Sequence, residues 1–265
     1  MRNVLIFLLS LFSLLCNGQS PKLFTTDKEL SSSLINQIYQ DRNGFIWIAT
    51  EDGLNRYDGA KFTIYKHEPN NEHSLAHNFV RTVFEDSKGH LLIGTYIGIQ
   101  MYDPATDNFT PLAKLEDTGE TLESNINSFI ERKNGEIWVS GNVLCKLNIK
   151  DHLLTVRKVD IAVTSPGSLF EDKKQNVWMA KGEEGVYQLT PDNQLTLHLS
   201  KDNGYVKSIC EDQRGNIYVG SIRKGLFIYD KECKTFVPVD LKEKGELPVC
   251  FLYSGIPNEL SIGTD

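Results

Sequence analysis

Six histidines (His67, His73, His77, His90, His152 and His198) and four recurring aspartates (Asp41, Asp86, Asp172 and Asp212) are the side chains here that suit chemistry. His73 and His77 have the four-residue spacing of a helical metal pair. They flank a predicted loop-to-strand boundary, where no helix is expected, and no carboxylate motif accompanies them. The aspartates have the acid type that calcium sites and acid catalysis use. Their return in the same turn, copy after copy, points to a structural role instead. Glycoside hydrolysis needs two carboxylates held over one cleft, an arrangement that spacing alone does not show, and no Gly-x-Ser-x-Gly nucleophile motif is present. No catalytic residue, metal or cofactor is therefore assigned.

The elements that must position these residues come from a repeated phrase. Its first copy runs from Asp41 (Asp-Arg-Asn-Gly-Phe-Ile-Trp-Ile-Ala-Thr) past Gly53-Leu54 to Tyr57-Asp58, and the second runs from Asp86 through Gly89, Leu92 and Gly98 to Tyr102-Asp103. Weaker copies start at Arg132, Asp172 and Asp212, so successive starts lie 45, 46, 40 and 40 residues apart. Strand-like contents at this period predict a propeller or array. Each copy reads as a four-stranded antiparallel blade. Asp41 with Gly44, Asp86 with Gly89, and Asp212 with Gly215 make short hairpin turns, in which Asp accepts backbone N–H groups and Gly supplies a left-handed conformation. Trp47, Trp138 and Trp178 occupy equivalent positions, with Leu92 and Tyr218 in the other copies. A continuous apolar run such as Phe45 to Ala49 suits a strand buried on both faces. The expected fold is all-β: a propeller of about five blades starting near 34, 79, 125, 165 and 205, and a truncated sixth starting near 248, forming an incomplete ring. Open blade edges and incomplete repeat ends favour pairing with another chain.

Charge and chain termini bound the context. With 35 acidic and 28 basic residues the formal charge is −7 and no Lys/Arg run appears, so nucleic acid is not an expected partner. Arg2, the apolar run Val4 to Leu15 and the small residue Gly18 read as a signal peptide over residues 1–18. Bulky Leu15 before Cys16 argues against lipidation, and the run is too short to span a bilayer as a helix. Residues 19–33 form an N-terminal segment in which Lys22-Leu23-Phe24-Thr25 is a candidate ring-closing strand. Cys145 and Cys210 lie in apolar strand contexts that suit a buried thiol better than a disulfide.

Comparing copies separates two faces. The turn after the first strand of each blade stays close to Asp-x-x-Gly, whereas the turn after the second strand varies: Glu51-Asp52, Tyr96-Ile97, Asn142-Val143, Lys181 to Glu184, and Ile222-Arg223-Lys224. Variable loops on a regular scaffold are where recognition is usually placed. The candidate ligand-binding residues are therefore Glu51, Asp52, Tyr96, Ile97 and Arg223. Tyr96 offers a ring to the apolar face of a sugar, and Glu51, Asp52 and Arg223 offer polar groups.

The phrase Asp-x-x-Gly-x-Ile-Trp-Ile-Ala-Thr, followed by Gly-Leu and Tyr-Asp, resembles the two-component regulator propeller repeat of periplasmic sensor regions in Bacteroidetes hybrid histidine kinases. His67 to Leu75 resembles that family's inter-blade segment. The third copy departs in having Arg132 for the turn Asp, and the fourth in having Gln175 for the turn Gly. The resemblance implies a periplasmic input domain that recognises glycan fragments or another small ligand, in a parent anchored in the inner membrane. The remaining propeller or the kinase chain would be its partner. The sequence contains no second apolar span, phosphoacceptor-helix pattern or ATP-binding glycine motif, so the expected role is sensing. A scaffolding propeller that binds a polypeptide and a propeller polysaccharide lyase or glycosidase are the alternatives.

Overall fold

The computed structural model describes residues 24–26, 29–199, 204–241, 248–253 and 259–264. The signal segment 1–18 and Lys22-Leu23 of the candidate closing strand lie outside them. Phe24, just after, packs its ring against Tyr57 at 5.2 Å and Phe62 at 5.0 Å, on the outer strands of the first blade.

Every helix-or-strand element among the described residues is a strand. The first blade is β1 (Ile35–Gln40), β2 (Ile46–Thr50), β3 (Gly53–Tyr57) and β4 (Phe62–Tyr65). The second is β5 (Val80–Glu85), β6 (Leu91–Thr95), β7 (Ile99–Asp103) and β8 (Asn108–Phe109). After β9 (Lys114–Leu115), the third blade comprises β10 (Ser128–Glu131), β11 (Ile137–Ser140), β12 (Leu144–Lys150) and β13 (Leu153–Lys158). The fourth is β14 (Leu169–Glu171), β15 (Val177–Lys181), β16 (Gly185–Leu189) and β17 (Leu195–Leu199), and the fifth is β18 (Val206–Glu211), β19 (Ile217–Ser221), β20 (Gly225–Asp230) and β21 (Thr235–Pro238). The pair β22 (Phe251–Tyr253) and β23 (Ser261–Gly263) follows. Within each blade consecutive strands are antiparallel neighbours. The first strands touch in series from β1 to β22, forming an incomplete propeller ring.

Blade three corrects the four-stranded expectation. Its sheet has five strands, because β9 pairs in parallel with the outer strand β13, with Lys114 opposite Thr155 and Leu115 opposite Val156. The connector that supplies β9 thereby satisfies an edge that would otherwise present unpaired N–H and C=O groups.

The core lies between blades, which explains the unbroken apolar runs of the second strands. Leu91 and Ile93 of β6 pack with Trp47, Ala49 and Leu54 of blade one, while Leu92 between them packs with Phe129, Ile137 and Val139 of blade three. Trp138 then faces Val177 and Met179 of blade four, and Trp178 faces Ile217, Val219 and Phe227 of blade five. Each aliphatic residue so buried contributes about 2 kcal/mol. Alternate residues of one strand thus serve two interfaces, and the period of two assigns them.

The first strands carry a second feature that positions the site. Register shifts at Asn36, Arg81 and Lys207 mark bulges in β1, β5 and β18. A bulge leaves one residue out of the ladder and re-aims its side chain.

Candidate functional site

The recurring aspartates are fully engaged within their own hairpins. Asp41 Oδ1 accepts the N–H groups of Asn43 (2.9 Å) and Phe45 (3.0 Å), and its Oδ2 accepts Trp47 Nε1–H at 2.8 Å. Asp172 repeats this with Lys174, Asn176 and Trp178 Nε1, the last at 2.9 Å. Asp86 uses Lys88, His90 N–H and the His90 ring, while Asp212 uses Arg214 and Asn216. Burial acts to raise the Asp212 carboxyl, but the hydrogen bonds from Asn216 and Arg214 outweigh it and hold the group below its ordinary value. Gly44, Gly89 and Gly215 sit at φ +88°, +93° and +79° in these turns, and Gln175 takes the same conformation at +67°. In blade three, with Arg132 in place of Asp, Trp138 Nε1 donates to Glu136 instead, at 3.1 Å. A hydrogen bond from Lys146 is the main cause that lowers Glu136 to about 2. Burial pushes the Cys145 thiol up to about 11, away from nucleophilic use.

The two histidines with metal-like spacing diverge. His73 Nδ1 lies 3.2 Å from Phe109 O, whereas His77 Nδ1 accepts Phe79 N–H at 2.9 Å. Among the described residues no group of three or more His, Cys, Asp or Glu side chains could hold a metal.

On the face built from the second-strand turns and inter-blade connectors, the five candidate residues fall into separate places. Asp52 is tied down by Lys66 at 2.7 Å and by Asn78 Nδ2 at 3.0 Å. Exposed Glu51 donates its N–H to Leu34 O. Arg223 pairs with Glu183 at 3.4 Å, both well exposed. Tyr96 and Ile97 come together at the edge of a cleft of about 630 Å³, lined also by Leu112, Thr121, Glu123 and Asn125. Tyr96 is 54% exposed, and its ring is braced by His77 at 5.6 Å and Phe79 at 6.1 Å. Within that cleft Asn125 Oδ1 is buried and has no hydrogen-bond partner among the described residues.

A second cavity of about 590 Å³ opens on the same face at the propeller axis, where the starts of the first strands converge. Asn36, Arg81, Asn127, Ser168 and Lys207 line it, one from each of five blades. Sequence reasoning missed this funnel. A usable signal existed: five residues before the turn position in four of the five copies stand the polar residues Asn36, Arg81, Asn127 and Lys207, amid apolar neighbours that repeat.

Comparison with known proteins agrees with this architecture. Residues 29–52, 74–96 and 200–223 match the family model described as the two component regulator propeller. Over 83 residues the chain is 39% identical to Histidine kinase P4 of Formosa agariphila, covering 29% of this chain and 6% of that protein. The extracellular domain of a hybrid two component system from B. thetaiotaomicron superposes with a TM-score of 0.74 at 17% identity, covering 93% of this chain and 36% of that one. Virginiamycin B lyase from Staphylococcus aureus superposes at 0.67 and 12% identity, over 93% and 81% of the two chains. At these identities the structural likenesses show a shared fold. The chain spans about a third of that extracellular domain and a small part of the kinase. Three segments of this chain are thus similar to the two-component regulator propeller repeat.

Proposed function

We propose that this chain is the extracytoplasmic sensing part of a hybrid two-component system, and that it binds a glycan-derived oligosaccharide in the cleft beside Tyr96. The observation that carries this reading is the pairing of an exposed, braced Tyr96 ring with the unpartnered Asn125 Oδ1. An aromatic face receives the C–H surface of a sugar ring, and a buried acceptor without a donor gains a hydrogen bond from a sugar hydroxyl. The cleft size falls in the range of small-ligand sites. Identity to a histidine kinase over 83 residues and the three family-model matches support the signalling context.

A panel of plant- and algal-polysaccharide oligosaccharides, titrated calorimetrically into the full chain, tests the reading. At least one glycan should bind, and Tyr96→Ala and Asn125→Leu should each weaken it about tenfold, or about 1.4 kcal/mol. Binding that ignores both substitutions would overturn the placement. Shortening of a polysaccharide by the chain would favour the lyase or glycosidase alternative.

A further inference from the structure

We infer that the axial funnel is an anion-binding site and that the sensed glycan is acidic, carrying a carboxylate or a sulfate ester; this rests on the glycan-sensing reading above. The chain has more acidic than basic residues, 35 against 28, yet the charged side chains lining the funnel are Arg81 and Lys207, with no Asp or Glu among the lining residues. A cavity with cations and low-dielectric walls concentrates positive potential.

The Arg81 guanidinium is held in place before any ligand arrives. It lies 5.5 Å over the Phe79 ring and donates from one Nη to Asn127 Oδ1 at 2.7 Å. Asn127 is fixed in turn by donating its Nδ2–H to Pro166 O at 3.0 Å. Arg81 Nε remains buried without an acceptor among the described residues. From the fifth blade, exposed Lys207 has no side-chain acceptor among the described residues. The bulges in β5 and β18 re-aim Arg81 and Lys207, and both line the funnel. Oriented donors left unfilled in a partly desolvated cavity have most to gain from an anionic acceptor.

The funnel and the Tyr96 cleft adjoin through one residue. Phe79 packs near both the Tyr96 ring, at 6.1 Å, and the Arg81 guanidinium, at 5.5 Å. An oligosaccharide that stacks a sugar on Tyr96 can therefore lead its acidic group to Arg81.

Isothermal titration of the full chain with four probes tests the inference: trigalacturonate, its carboxyl-reduced neutral counterpart, a sulfated carrageenan tetrasaccharide and inorganic sulfate. One or both acidic glycans should bind at least about tenfold more tightly than the neutral one, and added salt should weaken them. Arg81→Gln and Lys207→Gln should each weaken them by about tenfold or more, while melting curves report folding. Exposed Lys207 keeps the test readable if Arg81→Gln fails to fold. Equal binding of the neutral trisaccharide, or acidic binding indifferent to both substitutions, overturns the anion site and leaves glycan sensing in place. Arg81-dependent binding of sulfate with no glycan bound supports the anion site and overturns the glycan reading. Binding of no probe overturns the acidic-glycan inference.

Discussion

Glu85, on the last position of β5, accepts the backbone N–H of Arg42 at 2.8 Å and pairs with the Arg42 Nε at 2.6 Å, joining the second blade to the hairpin turn of the first. The same link recurs from Ser87 to Glu131, from Lys133 to Glu171 and from Lys173 to Glu211. A carboxylate just before each turn thus holds the turn of the preceding blade. Because the donor is a backbone N–H, the residue beside the turn Asp can be Arg, Ser or Lys without breaking the series.

The Glu85 side chain is 7% exposed and that of Arg42 47%, so the two partners differ in weight. Glu85→Ala strands a backbone donor and should cost about 2 kcal/mol in urea unfolding. Arg42→Ala keeps that backbone donor but loses a half-exposed ion pair and the hydrogen bond from its Nη2 to Asp86 O, costing about 1 kcal/mol. Equal losses would refute the account.

Asp41→Ala should destabilise by about 3 kcal/mol, since Trp47 Nε1 and two turn N–H groups lose their acceptor together. Trp47→Phe retains most of the ring packing and should cost about half as much. Thermal melts of the two variants check the order, which reverses if indole packing alone matters.

Gln175 holds a turn conformation at φ +67° that L residues enter at a cost. Gln175→Gly should raise stability by up to about 1 kcal/mol in the same unfolding assay, relief of strain exceeding the added freedom of the unfolded chain. A loss of stability would show that the Gln side chain contributes more than its backbone costs.

His198 sits among Trp178, Tyr229 and Phe236, with Nε2 2.8 Å from Gln188 Oε1 and Nδ1 3.1 Å from Lys234 O. Burial lowers its folded-state pKa below 6.5, and the bond to Lys234 opposes this in part. The unfolded chain therefore binds the proton more readily. No penalty exists well above 6.5, and stability falls as pH drops through that value toward the folded pKa. Melting temperatures taken from about pH 7 to about pH 5 should fall more steeply for the native chain than for His198→Phe. Parallel profiles would contradict the assignment.

Arg223→Ala should leave the melting temperature unchanged, because its pairing with Glu183 is solvent-exposed at both ends. Lying next to Ile222, which lines the funnel, Arg223 should affect acidic-ligand affinity less than Arg81 does. A larger effect than that of Arg81→Gln, measured by titration, would move the site toward the rim.

The sequence by itself determined the repeat, the all-β propeller class, the aspartate turns and the equivalence of the tryptophans. These are legible because their interactions are local: Asp41 and Trp47 are six residues apart in one hairpin, and strand alternation sorts core from surface. Even the deviant third blade kept its register, although the rescue of Trp138 by Glu136 was decided only by the folded hairpin. Tertiary structure alone decided the links between blades, the extra strand β9 and the axial funnel. Arg42 and Glu85 are 43 residues apart, and Arg81 and Asn127 are 46 apart. Such partners lie one period away, where repetition fixes that two blades are neighbours but not which side chains meet. Bulges then decided the funnel, since an extra residue in a strand changes where a side chain points without changing the pattern that announces the strand.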